Sequence, residues 1–165
     1  MSDRFNAELE LGGNCPAGKV QELVNLILIS GWYLMWDDDN HTSRSEEVME
    51  ELHRPKVVGP HFTQHDTRVD LQDELLDFLK DNQISFIFRV SGDIAYDGDI
   101  TWWVPGMNEA RSVTADVNAK EAVVNQQWLE RLAAREGTLQ DAIAILKNSP
   151  PELETFRIVQ DEKPA

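Results

Sequence analysis

The chain has 165 residues, 41% of them hydrophobic, and sets 30 Asp plus Glu against 15 Lys plus Arg for a formal charge of -15. Its length suits one domain with an ordinary core, and its apolar share argues against wholesale disorder. The charge argues against direct binding to nucleic acid or to an anionic membrane, because every phosphate contact would be made against the protein's own field.

Phe5, Ala7, Leu9 and Leu11 alternate with Asn6, Glu8 and Glu10, the two-residue period of a strand with one buried face. Gly12-Gly13-Asn14-Cys15-Pro16 is expected to end that strand, predicted over 5–12, and Pro16 suits the first turn of a helix. Val20, Leu23, Val24, Ile27 and Leu28 then recur at helical spacing over 18–30, with Gly31 as the stop. Trp32-Tyr33-Leu34-Met35-Trp36 reads as a short strand or packed loop, closed by Asp37-Asp38-Asp39-Asn40. Ser43 with Glu46 has the spacing of a capping box, opening a helix to about His53. The segment 54–67, with Pro55, Gly59 and Pro60, carries no period and reads as an exposed loop suited to a lid or binding role.

Leu71, Leu75, Phe78 and Leu79 predict a helix over 69–81 with Asp70, Asp73, Glu74 and Asp77 on its wet side. Next comes the clearest pattern in the chain: alternating runs at Phe86, Phe88 and Val90, at Ile100, Trp102 and Val104, and at Val113, Ala115 and Val117. Asp97-Gly98 and Pro105-Gly106 separate them, so an antiparallel three-strand meander is expected over 84–117, with strands at 84–96, 99–105 and 109–117. Val124, Trp128, Leu129 and Leu132 predict a helix over 120–135. Thr138 with Asp141 caps another, carrying Leu139, Ala142, Ile143 and Leu146 before Pro150-Pro151. Phe156-Arg157-Ile158-Val159 suits a returning strand, and 161–165 a frayed tail. The expected architecture is α+β: a single domain over 1–160 in which an antiparallel sheet is covered by helices.

Cys15 is the only cysteine, which excludes an intramolecular disulfide and a Cys-rich zinc site. With the acidic charge this favours a reducing compartment, and a cytoplasmic location is expected. The first residues lack a basic region followed by an apolar run, so no secretory signal is expected. The most apolar stretch, 20–35, is interrupted by Gln21, Glu22, Asn25, Ser30 and Gly31 and is too polar to span a bilayer.

Gly13-Asn14-Cys15-Pro16-Ala17-Gly18-Lys19-Val20 resembles the phosphate-binding loop of P-loop nucleotide hydrolases, with Lys19 at the position that reaches the terminal phosphates. The resemblance covers 8 residues and departs at Val20, where the family's Ser or Thr ligates magnesium. The expectation is therefore a strand-to-helix turn that is chemically silent, and no cofactor is assigned. His61, His65 and Asp66 form the densest group of ligand types for zinc or iron; the four-position spacing of the histidines would place both on one helical face. Asp93, Asp97 and Asp99 crowd one turn, where turn geometry itself calls for Asp.

Trp102 shares a face with Ile100 and Val104 and is assigned to the core, while Trp103 points to the opposite face. Trp32, Trp36 and Trp103, together with Asp37, Asp38 and Asp39, are the candidate interaction residues, because exposed aromatics inside a polar rim anchor protein interfaces. The functional expectation is a small acidic interaction protein binding a basic protein surface as inhibitor or accessory factor. Its alternatives are a nucleic-acid mimic of the same class and a small metal-dependent enzyme working at the 54–67 loop. The acids concentrate in residues 1–83, with 17 acids against 7 bases.

Overall fold

A computed structural model describes residues 6–34, 43–54, 59–65, 72–92, 97–116, 118–123, 130, 134 and 139–160. The first strand, β1, runs Ala7–Pro16 and leads through one 3-10 turn, Ala17–Lys19, into α1, Val20–Ile29. There follow β2 at Tyr33–Leu34, α2 at Ser45–His53, β3 at His61–Gln64, α3 at Asp73–Asp81 and β4 at Ile84–Val90. The chain continues with β5 at Gly98–Trp103, β6 at Arg111–Ala115, α4 at Leu139–Leu146 and β7 at Arg157–Val159.

The expected α+β architecture is present. The sheet order is β2-β3-β1-β4-β5-β6, every neighbour antiparallel, and β7 joins the far end of β1 in parallel. The meander β4-β5-β6 has the expected connectivity. At Pro105-Gly106, Met107 N–H donates to Val104 C=O at 3.1 Å and Gly106 has φ +94, the left-handed geometry that a type II turn requires of its third residue.

One face of the sheet carries the main core. Ala7, Leu9 and Leu11 of β1, Phe62 of β3, Phe86 and Phe88 of β4 and Trp103 of β5 meet Leu23, Val24 and Ile27 of α1, Val48 and Leu52 of α2, and Leu75 and Leu79 of α3. Here α1 packs against both α2 and α3. On the other face Ile87, Ile100, Trp102, Val113 and Ala115 form a smaller cluster with Ala119, and Leu153 packs on it. Beside that cluster the face is charged.

Several boundaries differ from the sequence expectation, each for a local reason. β1 does not stop at Gly12, because β7 supplies partners for Asn14, Cys15 and Pro16. A Cβ at Gly12 would lie 2.6 Å from the Glu154 carbonyl oxygen, so glycine admits the 151–156 segment against the strand. The 54–67 segment is not one exposed loop: its residues 61–64 are β3, paired on one side with β1 and on the other with β2. Ser43 does not cap α2; its hydroxyl accepts the Leu34 N–H at 2.8 Å, and the cap falls one residue later, where Glu47 accepts the Arg44 N–H at 2.8 Å. Asp97-Gly98 is not a two-residue hairpin turn. Gly98 lies inside β5 opposite Ala115, where a Cβ would meet the Asp116 oxygen at 2.5 Å. The helix expected over 120–135, with Trp128, falls largely outside the described residues, as does the tail at 161–165.

At the end of α1 the expected stop at Gly31 is a full Schellman closure. Gly31, at φ +80, donates to Leu28 C=O at 3.1 Å, and Trp32 N–H donates to Ile27 C=O at 3.0 Å. That closure turns Trp32 inward.

Candidate functional site

Trp32 and Trp103 are not surface anchors. Trp32 is 2% exposed, edge-on to Phe88 with ring centroids 5.9 Å apart, and Trp103 is 4% exposed with its indole N–H donating to Met107 C=O at 3.0 Å. The alternation reading correctly sent Trp102 and Trp103 to opposite faces. It failed on exposure because both faces of β5 are covered, and the larger core lies on the Trp103 side. Trp36, Asp37, Asp38 and Asp39 lie outside the described residues.

The histidine pair does not converge. His61 and His65 belong to a strand and its exit rather than a helix, so four strand steps carry them roughly 13 Å apart, too far to share one ion. His61 Nε2 faces Glu8 at 3.4 Å, and His65 Nδ1 lies 2.6 Å from Asn6 Oδ1. Asp66 lies outside the described residues, among which no group of three or more metal-ligating side chains occurs.

The phosphate-loop resemblance also dissolves in geometry. Residues 13–16 are extended strand rather than a loop curled around an anion, and Lys19 Nζ is engaged by Glu22 at 2.8 Å. Asp97 and Asp99 are both exposed; partial burial, then the Asp97 charge, pushes the Asp99 carboxyl above its ordinary value. Asp93 lies outside the described residues.

Two features that the sequence reading missed occupy the second sheet face. The first is a charged lattice. Glu10 stands opposite His61 and Glu8 opposite Arg89, yet the close approaches run diagonally, Glu8 to His61 at 3.4 Å and Glu10 to Arg89 at 3.5 Å. The His61 imidazole close beside it, with smaller contributions from Arg89 and Lys120, holds the Glu8 carboxyl below its ordinary value despite partial burial.

The second is a groove of about 550 Å³ where β1, β4 and β5 end, lined by Gly13, Asn14, Gln83, Ser85, Val104, Pro105 and the 151–154 segment. Two adjacent glycines build it. Gly12 lets the 151–154 segment lie against β1, fixed by Gly13 N–H donating to Glu154 C=O at 3.1 Å. Gly13 takes φ +78 and leaves space above Ser85, whose Oγ would be 3.4 Å from a Cβ there. The signal was present as Gly12-Gly13 and Pro150-Pro151, but nothing local says that these segments, far apart in the chain, meet.

The outer faces of the helical layer are acidic. Glu46, Glu47 and Glu50 on α2 and Asp73, Glu74, Asp77 and Asp81 on α3 are all exposed. The cations at these two helices are few: Arg54 meets Glu50 at 3.3 Å and Lys80 meets Asp77. No helix among the described residues is long and apolar enough to cross a membrane. No known protein family, curated protein or solved structure matches this chain.

Proposed function

We propose that this is a small acidic interaction protein that binds a basic surface on another protein, as inhibitor or accessory factor. The reading is carried by the exposed carboxylates of α2 and α3, set on two helices that pack on the same central helix, α1. Such a field, reaching about 8 Å at physiological ionic strength, speeds and orients encounter with a positive partner, while affinity comes from a local anchor. Exposed tryptophans do not supply that anchor at Trp32 or Trp103, since both are buried.

The test compares the full chain with a variant carrying Glu46→Gln, Glu47→Gln, Asp73→Asn and Glu74→Gln. A partner is isolated from the native cell and its purified form bound to each. A partner with a basic binding face that associates several-fold more slowly with the variant supports the reading; an acidic binding face overturns it. A nucleic-acid-binding partner displaced from its nucleic acid would narrow the reading to mimicry.

A further inference from the structure

The groove at the ends of β1, β4 and β5 brings two carboxylates and a hydroxyl to one place. Glu152 and Glu154 both line it, and neither has an ion pair or side-chain hydrogen bond among the described residues. They flank Leu153, whose side chain packs on the smaller core cluster, so in an extended segment the two carboxylates face away from that cluster together. On the floor, Ser85 is 5% exposed, and its hydroxyl has no hydrogen-bond partner among the described residues. That oxygen opens onto the groove, where it can accept a hydrogen bond from a donor that enters. Gly13 keeps that hydroxyl accessible by omitting the Cβ that would sit over it. The remaining walls, Val104, Pro105 and Pro151, are apolar.

We propose that this groove seats one arginine side chain of a protein partner, its guanidinium at Glu152 and Glu154 with an N–H directed to Ser85, and its stem along Val104, Pro105 and Pro151. The inference rests on the proposed basic partner and deepens it to one residue type at one place. Arginine fits better than lysine. Its planar fork offers five N–H donors and can engage two carboxylates and a hydroxyl at once, and it is more weakly hydrated than an ammonium group, so it loses less on entering a partly apolar groove. The volume of about 550 Å³ exceeds one side chain and leaves room for flanking backbone. An adjoining hollow of about 320 Å³, lined by Asn14, Glu154, Thr155 and Arg157, continues it. Arg157, the chain's own cation there, makes no ion pair with Glu154, so it does not already occupy the proposed place.

The experiment titrates the full isotope-labelled chain with acetyl-arginine amide, acetyl-lysine amide and acetyl-citrulline amide, the last an uncharged isostere, following backbone amide shifts. Expected are saturable shifts confined to Gly13, Asn14, Ser85 and residues 151–155, of millimolar affinity for arginine. Lysine should bind several-fold more weakly, and citrulline about tenfold or more weakly, as loss of a charge-assisted pair implies. Glu152→Gln with Glu154→Gln should remove saturation, and Ser85→Ala should weaken it several-fold while the shifts of the rest of the chain stay in place. Shifts spread over α2 and α3 without saturation at the groove, or citrulline binding as well as arginine, would overturn the proposal. A basic partner whose affinity ignores the double substitution overturns the groove and leaves the broader reading standing. Saturable arginine binding by a chain whose captured partner is acidic supports the groove and overturns that broader reading.

Discussion

Trp32 donates its indole N–H to the side-chain oxygen of Gln72 at 2.7 Å, joining residues 40 positions apart inside the core. The same Gln72 amide donates to Gln64 Oε1 at 3.0 Å, and Gln64 in turn donates to the Ser30 carbonyl at 2.8 Å. This one-way relay ties the end of α1, the entry to β2, strand β3 and the start of α3. Gln72, at 1% exposed, is held there by partners on both sides of its amide. Gly31 belongs to the arrangement, since a Cβ there would stand 3.0 Å from Gln64 Nε2.

Gln72→Met should therefore destabilise the fold by about 1–3 kcal/mol, the usual cost of orphaning buried polar partners. Urea unfolding measures it, and a midpoint equal to the parent's would show that the relay contributes nothing. Combining it with Gln64→Met should cost less than the two single losses together, because each leaves the other's amide unpaired.

Trp102→Ala and Trp103→Ala should each cost about 3–5 kcal/mol, with Trp103→Ala at least as damaging. Trp103 loses contacts in the larger core and orphans the Met107 carbonyl. Thermal unfolding of the two variants decides, and a near-neutral Trp103→Ala would restore the surface position that alternation first suggested.

How much was legible follows from which signals were local. The meander was readable because β4, β5 and β6 are successive, alternate cleanly and are joined by short breakers; Pro105-Gly106 carried its turn type outright. The Leu23, Val24 and Ile27 stripe and the Gly31 stop were readable for the same reason. β3 was not, since His61-Phe62-Thr63-Gln64 offers one apolar residue and its strand state is imposed by β1 and β2 on either side. The same non-local cause hid Gln64 and Gln72: a polar residue reads as surface unless its buried partner is known. The groove was invisible because Gly13, Ser85, Val104 and the 151–154 segment come from four separate parts of the chain.

Acid should weaken the fold partly through Glu8. Its carboxyl is held below the ordinary value by the neighbouring His61 imidazole, so its native form releases a proton more readily than the unfolded chain does. That stabilisation is fully present above the unfolded value and is lost as pH falls through the lowered native value. Glu8→Gln should thus flatten the acid limb of a stability-against-pH curve below about pH 5. Asp99 has the opposite sign: its raised carboxyl opposes folding above its native value, so Asp99→Asn should add a little stability near neutral pH. An unchanged acid limb in Glu8→Gln would contradict the assignment of that pair.

The 13–20 segment should bind no nucleotide. Its glycine-containing stretch is strand paired with β4 and β7, and Lys19 is engaged by Glu22. Calorimetry with ATP and GTP in magnesium buffer should detect no micromolar binding; such binding, lost in Lys19→Ala, would contradict this reading.

The measurement that bears most directly on an acidic interaction protein is the association rate of the full chain with its purified partner across a salt series. From about 0.02 M to about 0.3 M salt, where the screening length shrinks by more than half, the rate should fall steeply while the dissociation rate changes little. The same series with the α2 and α3 carboxylates neutralised should start lower and slope less. An association rate indifferent to salt, or a partner whose binding face is itself acidic, would contradict the claim that this protein's carboxylates guide it to a basic surface.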